Sequence, residues 1–241
     1  MPSRGVLAQV ALCVLLSAAA FADGGELDGL IEPFEVVQVS SQVSGILDTL
    51  AVERGDRVEA GQVLARLKVG TERLGVELAE ARLAFNERRA ERNEELFKKQ
   101  LVSTHEIDEL KTEILISRLQ LEDARERLAM RTVRSPIRGV VADRMLAAGE
   151  YVGTDPILVV AQVDPLNVEV IVPIARLGTL HKGMEAEVRP EAPIGGIYRG
   201  KVVIVDRVVD AASGTFGVRL EVENRDLRLP AGLKCKVKFL E

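Results

Sequence analysis

The chain has 241 residues, which is room for one large domain or for two to three small ones. Its 37 acidic residues outnumber its 32 basic ones, and this balance argues against a nucleic-acid partner, which requires a concentrated excess of Lys and Arg. Aromatic residues make up only 3% of the chain and His occurs twice, which argues against base stacking, a large ligand pocket or a histidine metal cage.

Residues 1–22 have the pattern of a secretory signal peptide. Arg4 precedes an apolar run over residues 6–20, and residues 20–22 (Ala-Phe-Ala) supply a cleavage site with small residues. We therefore predict cleavage after Ala22. The alternative is an uncleaved anchor, although the run is short for a membrane span. Cleavage removes Cys13 and leaves Cys235 alone, so no intramolecular disulfide is expected.

The most informative feature of the chain is an internal repeat. Residues 45–58 and 139–152 align without a gap at a constant offset of 94, which matches Gly45 with Gly139 and Gly55 with Gly149. Each copy has the pattern of short strands separated by glycines, where φ > 0 or tight packing is needed. Neither half can bury a core alone, so we expect residues 36–69 and 131–163 to pair face to face in one flattened β-domain.

Between the two halves, residues 70–130 are predicted to form an antiparallel coiled-coil hairpin. The second helix carries a stripe with steps of three and four, formed by Ile107, Leu110, Ile114, Ser117, Leu121, Ala124 and Leu128. The facing stripe of the first helix is predicted to be Leu74, Leu78, Ala81 and Phe85. The predicted register pairs Leu74 with Leu128 and Phe85 with Ser117, and each arm would reach about 40 Å at the usual helical rise.

Residues 164–241 are predicted to form a small β-barrel. Short alternating runs at 168–172, 185–188, 202–205, 218–222 and 235–237 are separated by turn residues, which is typical of five or six strands. Residues 173–180 are expected to form one short helix. Cys235 alternates with lysines and is expected on the buried face of the last strand. We find no catalytic constellation, cofactor site or metal site in the sequence, so we predict that the protein is not an enzyme and needs no cofactor.

The repeat halves, SGILDTLAVERGDRVEAGQVLARL and SPIRGVVADRMLAAGEYVGTDPILVV, resemble the two half-motifs of a biotinyl/lipoyl domain. In the cofactor carriers of that family, a tight hairpin between the halves presents one modified lysine. Here Lys68 is the nearest lysine, and about sixty predicted helical residues separate it from the second half. A biotin or lipoate carrier domain of an enzyme is therefore the alternative function.

Arg92, Leu96 and Ser103 follow the spacing R-x3-L-x6-S around the predicted hairpin turn. This spacing resembles the tip motif with which periplasmic adaptor proteins (membrane fusion proteins) dock onto outer-membrane efflux channels. The structural alternative is that Ser103 begins a capping box, Leu96 packs in the seam and Arg92 lays its stem along Leu110. Both interpretations can hold together, because a rigid tip is a better docking surface.

The C-terminal segment ASGTFGVRLEVENRDLRLPAGLKCKV resembles the β-barrel signature of the same adaptors, so the resemblance covers roughly residues 36–239. It implies an elongated, mostly β protein with an inserted helical hairpin, in the HlyD/RND-adaptor family of tripartite efflux systems. It further implies a periplasmic location at the inner membrane, export of small molecules, and two partners: an inner-membrane transporter and an outer-membrane channel.

Some implications of the resemblance stay open at this point. The transporter is expected to be of the RND type, with an ABC-type exporter as the alternative, and the protein is expected to be a homo-oligomer, either a hexamer or a trimer of dimers. The membrane-proximal domain of larger adaptors is expected to be absent or vestigial. A secreted coiled-coil scaffold that works without any transporter is a third possibility.

Overall fold

The computed structural model describes residues 25–240, and these divide into two units. One unit comprises residues 35–162, and the other combines residues 25–34 with residues 163–240. The predicted signal peptide and its cleavage site lie outside the described residues. Within residues 25–240, no helix is both long enough and apolar enough to cross a membrane.

The described residues contain two long helices, one 3-10 turn at Ile174–Arg176 and twelve strands. The helices are α1 (Gly70–Lys98) and α2 (Thr104–Ala129). The strands are β1 (Glu26–Val39), β2 (Gly45–Leu50), β3 (Arg57–Val58), β4 (Val63–Leu67), β5 (Thr132–Arg134), β6 (Gly139–Arg144), β7 (Tyr151–Val152), β8 (Leu158–Pro173), β9 (Glu185–Pro190), β10 (Tyr198–Val205), β11 (Thr215–Val222) and β12 (Lys234–Phe239).

In the unit of residues 35–162, the two copies of the repeat adopt the same local structure and exchange strands. β2 and β6 start at equivalent positions, and so do β3 and β7, with the offset of 94 unchanged. β2 pairs antiparallel with β7, and β6 pairs with β3 in the same way, so each half completes a strand pair of the other. The residues buried between them occur as equivalent pairs: Leu47 with Val141, Val58 with Val152, and Leu64 with Leu158. This shared core is the one that neither half could form alone.

The helices α1 and α2 pack against each other, and α2 uses the stripe predicted for it. Its buried residues are Leu110, Ser117 and Leu121. Ser117 accepts a hydrogen bond of 2.7 Å from the Asn86 side-chain amide, and Arg89 forms an ion pair of 2.8 Å with Glu113. The predicted register, in which Phe85 faces Ser117, is therefore within one residue of the observed antiparallel register.

The prediction of which α1 residues face α2 is wrong. Leu74, Leu78 and Phe85 are 66%, 72% and 54% exposed. The more buried side of α1 carries the buried Asn86 and a set of half-buried apolar residues with the same alternating spacing, Val76, Ala79, Leu83 and Ala90. Two stripes with helical spacing therefore run along α1, and only one of them is shielded.

The residues of α1 near the hairpin turn explain which side of the helix faces α2. Continued by steps of three and four, the predicted stripe reaches Arg88 and Arg92, whose charges would lose their water in a helix seam. The other stripe reaches Ala90 and Asn93, which are small or uncharged. Only the second stripe can be shielded along the whole helix, so α1 turns that side inward.

The unit of residues 25–34 and 163–240 is a β-barrel. Its strands follow the order β1-β12-β9-β10-β11-β8, and β1 also pairs with β8, which closes the ring. The five runs predicted as strands all lie within β8 to β12. The sixth strand, β1, pairs with β12 from Glu26 opposite Lys238 to Leu30 opposite Lys234, and the sequence pattern does not predict it. Residues 173–180, expected as a short helix, contain only the 3-10 turn.

Cys235 lies inside this barrel, as its alternation with lysines predicts. The residue is 2% exposed, and burial raises the pKa of its thiol to about 11, with the Asp28 and Glu191 carboxylates adding to the increase. The thiolate is the reactive form of cysteine, and the raised pKa keeps the Cys235 thiol protonated at neutral pH. Cys235 is therefore a core residue rather than a reactive thiol.

Candidate functional site

The turn between α1 and α2 reverses the chain within a few residues. Helix α1 ends where Gln100 adopts the left-handed region, with φ of 60°. The backbone N–H groups of Lys99 and Leu101 both donate to the Leu96 carbonyl, at 3.1 and 3.0 Å, and so use an acceptor that the helix end leaves free. The tip of the hairpin is therefore an ordered turn whose own backbone hydrogen bonds fix it.

Ser103 begins α2 with a capping box. Its hydroxyl oxygen accepts from the Glu106 N–H at 3.3 Å, and its own N–H donates to Glu106 Oε2 at 2.8 Å. The hydrogen bond from the Ser103 backbone, followed by that from its hydroxyl, lowers the pKa of the Glu106 carboxyl. These bonds satisfy donors that a helix start leaves without partners.

The three predicted docking residues lie on or near this tip. Leu96 is in the last turn of α1 and keeps 38% of its surface exposed, and Ser103 is the exposed cap of α2. Arg92 is exposed one helical turn before Leu96, at the i, i+4 spacing that puts two side chains on one face. The alternative role predicted for Ser103, as a cap, is confirmed by the geometry. The docking role of all three residues stays a prediction.

Two further apolar residues, which the sequence motif does not include, reach the tip surface. Phe97 is 39% exposed and Leu101 is 69% exposed, and both lie within five residues of Leu96. The signal that could have identified them is the run Leu96-Phe97 and Leu101-Val102 around a turn otherwise composed of Lys and Gln. An ordered tip that exposes apolar side chains is suited to contact with another protein.

Polar and acidic groups at the tip do not form a metal site. His105 lies 3.4 Å from Glu109 one turn further along α2, and both side chains are largely exposed. Over residues 25–240 no cluster of three or more His, Cys, Asp or Glu side chains is arranged to hold a metal ion.

Lys68, the lysine weighed for a cofactor, is exposed directly after β4. Its backbone N–H donates to the Ile46 carbonyl at 2.9 Å, and α1 begins two residues later at Gly70. The chain at this point therefore leads from the sheet into a 29-residue helix rather than into the tight hairpin of a carrier.

Two family models match this chain over adjoining ranges. Residues 35–162 match the CzcB-like barrel-sandwich hybrid domain, and residues 166–241 match the CusB-like β-barrel domain. The first match alone covers more than half of the chain. The ranges agree with the two units of the structure, apart from β1, whose first part lies before the matched residues.

Among proteins of similar sequence is the antibiotic efflux pump periplasmic linker protein ArpA of Pseudomonas putida, with 26% identity over 236 residues, 91% of this chain and 64% of that protein. The multidrug resistance protein MexA of Pseudomonas aeruginosa is 27% identical over 244 residues, covering 95% of this chain and 64% of MexA. A solved MacA–MexA chimeric protein, which contains the Pseudomonas aeruginosa MexA alpha-hairpin domain, shares the fold with a TM-score of 0.77 at 24% identity, covering 89% of this chain and 77% of that one.

The chain spans less than two thirds of the length of ArpA and of MexA. It nevertheless holds the repeat, the inserted hairpin and the barrel in unbroken order, and both family models match in that order. The chain therefore belongs to the periplasmic adaptor, or membrane fusion protein, family, as a member with a CzcB-like barrel-sandwich hybrid domain and a CusB-like β-barrel domain.

Proposed function

We propose that this protein is a periplasmic adaptor that links an inner-membrane efflux transporter, of the RND type, to an outer-membrane channel for the export of small molecules. The observation that carries the proposal is the inserted hairpin with its ordered, partly apolar tip, in a chain whose relatives include proteins named periplasmic linkers of efflux pumps. In this role the protein contributes binding energy and geometry, and it performs no bond chemistry and needs no cofactor. It reaches the periplasm through the predicted signal peptide, which is cleaved.

The contact with the outer-membrane channel is proposed to lie at the hairpin tip. Arg92 supplies a charge with several hydrogen-bond donors, Leu96 supplies an apolar side chain, and Ser103 fixes the start of α2 beside it. Phe97 and Leu101 extend the apolar surface. A partner that fits this tip presents a small apolar depression with acceptor groups at its rim.

We further propose that the outer side of the hairpin packs against a second copy of the chain. Leu74, Leu78, Ala81 and Phe85 repeat with steps of four and three, which is the spacing that packs against another helix. On α2, Leu115, Ile116 and Leu119 are also about half exposed. Because Asn86 meets Ser117, these residues lie at the height of Phe85 along the hairpin.

Side-by-side packing of such hairpins supports the expected hexamer or trimer of dimers. A contact between two different faces, one on α1 and one on α2, repeats around an axis and forms a ring when the rotation between neighbouring copies closes. A ring of hairpins encloses a conduit and gathers the tips at one end. Export across the envelope requires such a conduit.

The proposal is tested by isolating the tagged protein from its native host after mild crosslinking. We expect an inner-membrane transporter and an outer-membrane channel to co-purify, and deletion of the gene to increase sensitivity to exported compounds. Recovery of an ATP-driven transporter would replace the RND partner with an ABC-type exporter. Recovery of neither membrane partner would leave a secreted scaffold. An intact mass that shows biotin or lipoate on Lys68 or another lysine would support the carrier instead.

A further inference from the structure

The base of the hairpin holds an ion pair that is much less exposed than the others on the helices. Arg131, which follows the end of α2, lies 2.5 Å from Glu72 in the first turn of α1, and their side chains are only 20% and 17% exposed. The cross-helix pairs nearer the tip, such as Arg125 with Glu80, have side chains about half exposed. Exposed pairs contribute little, whereas loss of one partner of a shielded pair leaves a charge without compensation.

The Arg131 guanidinium also holds the sheet. Its second nitrogen, Nη1, donates to the Ser44 carbonyl at 2.9 Å, immediately before β2. The Arg131 carbonyl accepts from the Leu67 N–H at 2.8 Å, at the end of β4. One residue therefore joins the beginning of α1, the end of α2 and the ends of two strands.

Gly45 makes this contact possible. A Cβ atom at position 45 would overlap with Arg131 Nη1, so the guanidinium can lie against the strand only because this residue has no side chain. The equivalent glycine of the other half, Gly139, is needed for a different reason, since a Cβ there would overlap with the Ala161 carbonyl. The same repeat position thus accommodates Arg131 in one half and the strand backbone in the other.

We infer that Arg131 is a positioning residue that fixes the angle of the hairpin on the barrel-sandwich domain. A 29-residue helix is about 43 Å long, so a change of about 10° at its base moves its far end by about 7.5 Å. A guanidinium is suited to this task because its planar fork binds a carboxylate and a carbonyl at once in fixed directions. The consequence for docking rests on the proposed function, but the positioning itself does not.

The test measures the hairpin angle directly. Spin labels are placed at Lys99→Cys near the tip and Ala60→Cys in the barrel-sandwich domain, in a full chain whose Cys13 and Cys235 are replaced by Ala. Arg131→Met is expected to broaden the distance distribution by about twofold, because Glu72 and the Ser44 carbonyl lose their shared partner. Arg125→Met removes an exposed ion pair from the same hairpin and is the matched control. We expect its distance distribution to be as narrow as that of the parent chain.

Two milder variants keep the inference testable if Arg131→Met fails to fold. Arg131→Lys retains the charge without the fork, and Gly45→Ala retains both charged residues but displaces the guanidinium. Broadening in either variant supports the inference, and a parent-like width in both overturns it. Because the measurement needs no partner protein, its outcome is independent of whether the protein joins a transporter to a channel.

Discussion

Gly55 and Gly149 are structural equivalents, and each donates its backbone N–H to the opposite half of the repeat. Their φ angles are 95° and 94°. The Gly55 N–H donates to the Val141 carbonyl at 2.9 Å, and the Gly149 N–H donates to the Leu47 carbonyl at 2.8 Å. Val141 and Leu47 are themselves equivalent residues of the repeat. The two halves are therefore joined by reciprocal bonds with pseudo-twofold symmetry.

Both glycines have a conformation that other residues adopt only with strain, and open space surrounds the position of a Cβ atom. We expect Gly55→Ala and Gly149→Ala each to lower the free energy of unfolding by a similar amount, about 1 to 3 kcal/mol. Gly153→Ala is the control, since that glycine has no positive φ and its Cβ would lie 3.7 Å from the nearest atom. Urea denaturation of the three variants measures the effect. Clearly unequal losses at positions 55 and 149 would contradict the equivalence.

The polar pair inside the hairpin gives a second prediction. Ser117→Ala removes the acceptor of the buried Asn86 amide, and an unpaired buried group of this kind costs about 1 to 3 kcal/mol. The matched control is Thr112→Ala. The Thr112 hydroxyl is exposed on the same helix and donates to the Asp108 carbonyl. The double variant Asn86→Leu with Ser117→Ala should regain much of the loss, because neither polar group is left unpaired. Equal stability of the two single variants in urea would show that the pair is not shielded.

The capping box predicts how the tip responds to pH. The pKa of Glu106 is lowered in the folded state, so its contribution is fully present above the unfolded value near 4.5 and is lost as pH falls through the lower folded value. The protection of amides at the start of α2, measured by hydrogen exchange and corrected for the intrinsic pH dependence of the exchange rate, should decrease over that range. Ser103→Ala, which removes the cap at a typical cost of about 1 kcal/mol, should show fast exchange already at neutral pH. Thr104→Ala leaves the cap in place, and we expect exchange like that of the parent chain.

The docking residues are tested in cells. We expect Arg92→Ala and Leu96→Ala to weaken crosslinking to the channel about tenfold or more and to lower drug resistance, because truncating an interface anchor commonly removes over 1 kcal/mol of binding energy. Arg88→Ala is the matched control, an exposed arginine one turn further from the tip. Circular dichroism should show an unchanged fold for all three variants. Normal crosslinking by the Arg92 and Leu96 variants would remove the tip from the proposed contact.

The proposed contact between copies through the exposed stripe of α1 is tested by measuring the oligomeric state of the protein. Replacing Leu78 and Phe85 together by Ser should reduce self-association in sedimentation experiments while helicity is retained, because both side chains are more than half exposed in the single chain. Leu177→Ser, at an exposed leucine of the barrel unit, serves as the control. If the double variant at Leu78 and Phe85 sediments like the Leu177→Ser control, the copies associate through another surface.

The sequence by itself determined the repeat, the hairpin and most of the barrel, because these depend on local pattern. The offset of 94 is kept residue by residue, the α2 stripe has one interpretation, and Ser103 with Glu106 is a sufficient signal for a helix start. The alternation around Cys235 placed it inside a strand, and the structure has it buried. In each case the residues that decide the outcome are neighbours along the chain.

Only the tertiary structure decided the features that depend on distant segments. α1 has two stripes with helical spacing, and packing against α2 selected the one with Asn86 because Arg88 and Arg92 would otherwise lose their water. The barrel needed β1, whose Asp28 lies 208 residues before its partner Lys236 in β12. This strand pairs through backbone bonds that leave little signature in the sequence. Arg131 meets Glu72 and Ser44 across 59 and 87 residues, a contact that exists only after the sheet and both helices have assembled.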